Sequence, residues 1–244
     1  MRHYILVGII MLKEKCDIGI VGAMDAEIER ILASLSGVKE DTVGAFKFFI
    51  GDYAKKRVCL VKCGIGKVFA AACTQTMILA YAPSLIVNTG VGGALKGGLN
   101  PCDIVVATSL VQHDMDTSAI GDPKGLVSGI NKIFFGTDPR ACEILEHEAI
   151  RLGYPVKFGI VATGDRFVAS AEDKNNIVST FDADCCEMEG CAVAQTAFIG
   201  RTPFAVIRAI SDSADGSSSM DYAKFLPIAA ERSAMLTLAL VGSY

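Results

Sequence analysis

The strongest constraint on this chain is a change of hydrophobic period that recurs along it. Ile18-Gly19-Ile20-Val21 is a short apolar run of buried-strand type, and residues 27–35 then carry Ile28, Ile31, Leu32 and Leu35 at helical spacing. Residues 46–50 and 58–62 read as a hairpin around a polar turn at 51–56, followed by an Ala-rich helix over 68–81. Strands at 85–88 and 104–107 are separated by a glycine-rich loop from Gly90 to Gly98. A helix over 142–152, a strand over 156–162, a helix from Gly190, a strand over 204–210 and a last helix over 225–241 complete the pattern. This order predicts an α/β fold: a single domain with a central mixed sheet flanked by helices, its site in the loops at the carboxyl ends of the strands.

No Pro/Gly/Ser-rich or charge-rich stretch divides the 244 residues as a linker would, and 51% apolar against 20% charged residues is enough to build a sizeable core. The domain is expected over 17–244, with 1–16 as an N-terminal extension. Within that extension Arg2 and His3 precede a short apolar run, but Lys13-Glu14-Lys15 stands where a signal peptide has small residues, and the run is far too short to span a bilayer. A cytoplasmic protein with no membrane association is the expectation. The net charge of −4 gives no basic face for phosphates, so no nucleic-acid partner is expected. Nine cysteines, several in apolar runs such as Val58-Cys59-Leu60, read as buried free thiols; Cys59 and Cys63 lack a second Cys or His pair, so no metal site is expected.

Three acidic residues fall near predicted element ends. Glu27 opens the first helix, Glu189 precedes the helix at Gly190, and Asp212 follows the strand that ends Ala209-Ile210-Ser211. Each has a structural reading, since Glu27 could complement a helix dipole and Asp212 could be an N-cap. As a set at converging strand ends they point to a site.

Four segments carry a resemblance: Gly19-Ile20-Val21-Gly22-Ala23-Met24-Asp25-Ala26-Glu27, Asn88-Thr89-Gly90, Glu187-Met188-Glu189-Gly190, and Arg208-Ala209-Ile210-Ser211-Asp212-Ser213-Ala214-Asp215. In order and spacing they resemble the 5′-methylthioadenosine/S-adenosylhomocysteine nucleosidases, from about Asp17 to the C-terminus. The Met-Glu and Ser-Asp elements together mark the wider nucleoside phosphorylase and nucleosidase superfamily. The first element, ending in Glu27, points to its hydrolytic branch.

The resemblance implies hydrolysis of the N-glycosidic bond of a thioether nucleoside by water, with release of adenine and no cofactor, in a homodimer active in methionine salvage. It casts Asp212 as the acid for the departing base, Glu27 as the base that activates water, and Arg208 as a neighbour of that water. Glu189 would accept ribose hydroxyls, Met188 would pack on the sugar, and Phe167 with Val168 would hold adenine. Tyr222 and the segment 117–120, from Thr117 to Ile120, match the regions of the alkylthio pocket, which a second subunit partly supplies. Val91 stands where many members have serine, so a hydroxyl contact to water or ribose is in question. Gly64-Ile65-Gly66-Lys67 also resembles the family and reads equally as a strand-to-helix turn.

A purine nucleoside phosphorylase would share the fold and the Asp212-like acid but needs cations for phosphate. Around Gly22 and Gly66 only Lys67 is available, Arg30 being inside the predicted helix, and Glu27 would repel phosphate. A futalosine-type hydrolase would share the carboxylates. A catalytically silent nucleoside-binding protein would have no use for Glu27 as a base. An NAD-dependent enzyme is disfavoured because Gly19-x-x-Gly22 lacks the Gly-x-Gly-x-x-Gly spacing.

Overall fold

A computed structural model of the chain describes residues 12–215 and 218–244. The apolar run expected at residues 4–12 therefore lies almost wholly outside the described residues. Lys13 and Cys16 donate backbone hydrogen bonds to Ala80 and Tyr81, and Cys16 is buried.

The chain opens with β1 (Ile18–Gly22) and α1 (Asp25–Ser34), then forms an antiparallel meander of β2 (Ser36–Val43), β3 (Phe46–Tyr53) and β4 (Lys56–Lys62). α2 (Lys67–Tyr81) leads to β5 (Leu85–Ala94) and β6 (Ile104–Gln112); a 3-10 turn at Ser118–Ile120 and β7 (Phe135–Gly136) precede α3 (Pro139–Leu152). β8 (Val156–Thr163), α4 (Ala171–Phe181), β9 (Cys185–Glu187), α5 (Gly190–Ile199), β10 (Phe204–Asp212) and α6 (Ser218–Ser243) follow. All strands join one mixed sheet in the order β10-β6-β8-β9-β5-β1-β4-β3-β2, with β7 on β6. β10 also pairs with β5, so β5, β10, β6, β8 and β9 close into a ring. The α/β architecture expected from the sequence is present.

The structure corrects several element boundaries. The segment expected as a glycine-rich loop continues β5 as far as Ala94, and all ten strand residues are buried. Pairing with β10 and β9 holds Gly90, Gly92 and Gly93 extended, and no larger residue fits at two of them: a Cβ on Gly90 would meet Glu27 Oε1, and one on Gly93 would lie 2.9 Å from Asp212 Oδ1. The hairpin turn is two residues, not six: Ala54 and Lys55 turn with positive φ while residues 51–53 remain in β3. β2 escapes a sequence reading because it is a polar edge strand with no buried residue. β9 is too short to show a period. α4 is capped by Ser170, whose side chain accepts from Asp173 N, and α6 starts seven residues before the expected position and runs through Pro227.

Two apolar layers cover the sheet, one including Met77, Tyr81, Phe135 and Val193, the other Ile31, Leu145, Leu236 and Leu238. By length and composition α6 could cross a membrane, yet half of that stretch is buried within the molecule, with Ala230, Ala234 and Leu238 in the core. All nine cysteines are free thiols, eight of them buried, as small hydrophobes commonly are.

Candidate active site

The carboxyl ends of β1, β5 and β10 open into a cavity of about 300 Å³. Glu27, Val91, Phe167, Val168, Met188, Glu189, Asp212 and Tyr222, eight residues singled out in the sequence, line it together. Arg208 does not line it but is buried behind it, and none of residues 117–120 reaches this cavity within the chain. Ile120 is instead 82% exposed.

Glu27 sits in the first turn of α1, where a carboxylate is drawn to unpaired backbone N–H groups. Its Oε2 accepts from Ala23 N at 2.7 Å and Met24 N at 3.0 Å, and its Oε1 accepts from Val91 N at 3.1 Å. The carboxylate therefore caps the start of α1 and lines the cavity at the same time. A carboxylate offers about four lone-pair positions; the backbone takes three, and Oε1 keeps one. Burial raises the Glu27 pKa, against the pull of Arg208 and the three N–H groups. Val91 contributes its N–H to this arrangement, so the site keeps a contact at residue 91 without a hydroxyl.

Asp212 ends β10 at a bulge, where the pairing with β5 steps from Ile210↔Gly92 to Asp212↔Gly93 and leaves Ser211 over. Bulges re-aim side chains at sheet edges and active sites. Here the Ser211 hydroxyl donates to Asp212 Oδ2 at 2.8 Å, and Ala214 N donates to Oδ1 at 2.9 Å. Asp212 is thus the last residue of the strand rather than the one after it, and it spans a short turn as well as facing the cavity.

Glu189 is the residue before α5 and accepts from Gly66 N at 2.8 Å. Gly66 holds φ +100°, a backbone state open chiefly to glycine, which turns its N–H toward the carboxylate. Burial lifts the Glu189 pKa to about 8; the nearby Glu187 charge adds to the lift, and Arg208 opposes it.

Glu187, quoted within the motif but given no role, is the centre of the polar wall. Thr163 and Arg208 donate to its two oxygens, and Glu189 N and Gly190 N donate to Oε2 at 3.1 and 2.6 Å. Arg208 also donates to the Asn88 side chain and backbone. Sequence reasoning also gave no role to Met24, Ile65, Arg166, Cys186 and Ser211, all on the cavity wall. All five lay within or beside quoted segments: Met24, Ile65 and Ser211 inside them, Cys186 directly before Glu187, and Arg166 directly before the Phe167–Val168 pair. At the mouth Phe167, about half exposed, meets Tyr222 edge-on at 5.6 Å, and the Tyr222 hydroxyl reaches Met24 Sδ at 3.2 Å. Phe167 is therefore a wall residue and not core packing.

The fold and this carboxylate-lined cavity define an α/β protein of the nucleoside phosphorylase type. The family profile described as "Phosphorylase superfamily" matches residues 17–242. A 5′-methylthioadenosine/S-adenosylhomocysteine nucleosidase of Actinobacillus succinogenes is 36% identical over 226 residues, covering 92% of this chain and 98% of the relative. Among solved structures, the Neisseria meningitidis nucleosidase of that name in complex with methylthio-immucillin-A superposes with TM-score 0.91 at 36% identity, covering 96% of this chain and 100% of the other. A futalosine hydrolase of Helicobacter pylori superposes with TM-score 0.90 at 35% identity, covering 96% and 99%. The chain belongs to the phosphorylase superfamily, and within it to the family of 5′-methylthioadenosine/S-adenosylhomocysteine nucleosidases.

Proposed function

We propose that this chain hydrolyses the N-glycosidic bond of 5′-methylthioadenosine, S-adenosylhomocysteine or both. The observation that carries the proposal is the convergence of Glu27, Glu189 and Asp212 on one cavity, with one lone pair of Glu27 Oε1 left for water. In this reading water loses a proton to Glu27 as its oxygen bonds to the anomeric carbon. The glycosidic electron pair leaves with adenine, and Asp212 supplies the proton that neutralises the base. Glu189 and Met188 hold the ribose, Phe167 and Val168 hold adenine, and Tyr222 closes the alkylthio side. Arg208 acts from behind, through Glu187 and through its field on Glu27.

Phosphorolysis fits poorly. Among the described residues the cation on the cavity wall is Arg166, and its guanidinium pairs with Asp173 at 2.7 Å. The test is adenine release from a nucleoside panel with and without phosphate. Phosphate-independent release of adenine and free sugar is expected, and a ribose 1-phosphate product would overturn the reading. The likeness to a futalosine hydrolase puts futalosine on the panel, and turnover of futalosine alone would move the assignment to that substrate.

The same reading takes the protein as a cytoplasmic homodimer in methionine salvage, acting on a small nucleoside and water without nucleic acid or membrane. Exposed Ile65, Val68, Phe69 and Ile120 support a partner surface, since Ile65 also lines the cavity. Sedimentation equilibrium should return twice the chain mass; a fully active monomer would count against it.

A further inference from the structure

Behind Glu27 three buried hydroxyls link the last helix to β5. Thr89, Ser233 and Thr237 are each no more than 1% exposed. Ser233 Oγ lies 2.7 Å from Thr89 Oγ1 and accepts from Gly90 N at 3.1 Å. Thr237 Oγ1 lies 2.9 Å from Thr89 Oγ1 and 2.8 Å from the Ser233 carbonyl.

Each hydroxyl has one proton to give and two lone pairs to accept with. Thr237 is the donor at its end of the chain, its proton within reach of both the Ser233 carbonyl and Thr89 Oγ1. Thr89 and Ser233 share one proton between their oxygens. In either sense of that bond Ser233 Oγ keeps a lone pair for the Gly90 N–H, and its place is fixed by Thr89.

Gly90 needs such a tie. It has no side chain to restrict its torsions, and none would fit, because Glu27 Oε1 stands where a Cβ would be. On its amide side Gly90 is held by Ser233; on its carboxyl side the Val91 N–H holds Oε1. We propose that Ser233, oriented by Thr89 and Thr237, is a positioning residue for Glu27: it fixes the Gly90–Val91 backbone and with it the oxygen that takes the proton from water. The inference rests on the hydrolytic reading above.

The experiment compares wild type, Ser233→Ala, Thr89→Val, Thr89→Ser and, as a control, Thr196→Val. Thr196 is a buried helix hydroxyl bonded to Ala192 O on α5, with no link to Glu27. Small displacements of a reacting group cost up to about a hundredfold in rate, so Ser233→Ala and Thr89→Val should lower kcat by roughly tenfold to a hundredfold with KM little changed. Both should also shift the acid limb of the kcat–pH profile. Thr89→Ser keeps the hydroxyl and should retain most of the rate, while Thr196→Val should lower Tm and leave kcat and its pH profile alone. A folded Ser233→Ala with wild-type kcat, or a loss confined to KM, overturns the proposal, and so does a fall in kcat that merely tracks Tm across all variants. Should Ser233→Ala fail to fold, Thr89→Val decides by the same criteria. Wild type releasing no adenine from any nucleoside would overturn the hydrolytic reading, and this proposal with it. Wild-type release with an unimpaired Ser233→Ala overturns this proposal alone.

Discussion

Arg208 and Glu187 form an ion pair with side chains only 2% exposed, directly behind the cavity wall that Glu187 itself supplies. Glu187 also takes the Glu189 and Gly190 N–H groups at the start of α5. The pair therefore anchors β10, β5 and α5 at one point, beside the two carboxylates that flank it.

Removing one partner of a buried pair leaves the other charge uncompensated, at a cost of about 3–5 kcal/mol. Arg208→Met should lose stability of that order in urea denaturation. It should also lose activity, because Glu27 and Glu189 would no longer feel the guanidinium. Adding Glu187→Leu should restore part of the stability and none of the activity. Wild-type stability in the single variant would show that the pair does not anchor the fold.

The Glu189 carboxyl, lifted to about 8 from an ordinary 4.5 by burial and by Glu187, gives a pH signature. The folded protein keeps this proton where the unfolded chain has lost it. The contribution to stability is therefore complete below the unfolded pKa and vanishes as pH rises through the folded one. Glu189→Gln removes the titration. Denaturation midpoints measured between about pH 5 and 8 should move steadily in favour of the variant relative to wild type. Parallel pH curves for the two proteins would place the Glu189 titration elsewhere.

Asp212→Asn keeps the size of the side chain; its Oδ1 can still accept from Ala214 N while its NH2 donates to Ser211 Oγ, but it cannot deliver a proton to a departing base. General acid catalysis contributes roughly 10²–10⁴-fold, so kcat should fall by that order with binding of a substrate analogue nearly unchanged. Wild-type turnover in a folded Asp212→Asn variant would remove Asp212 from the chemistry.

Much of the site was legible because its residues sit at element ends in recognisable runs. Glu27 at a helix start, Glu189 before a helix and Asp212 at the end of an apolar strand are positions that a change of period reveals. The Gly90–Gly98 segment was misread for the complementary reason. Glycine carries no pattern of its own, and whether Gly90 and Gly93 bend or extend depends on the distant strands β10 and β9 that pair with them. β2 and β9 were illegible because one is a polar edge and the other only three residues long.

The sequence by itself determined the α/β order, the family, and which carboxylates can meet, because hydrophobic period and short motifs are local properties of the chain. Only the tertiary structure decided that Arg208 is spent on Glu187, that Val91 serves through its backbone, and that Ser233 of the last helix reaches Gly90. Those are contacts between residues 21, 64 and 143 positions apart, fixed by strand register and helix packing rather than by any neighbour in the sequence.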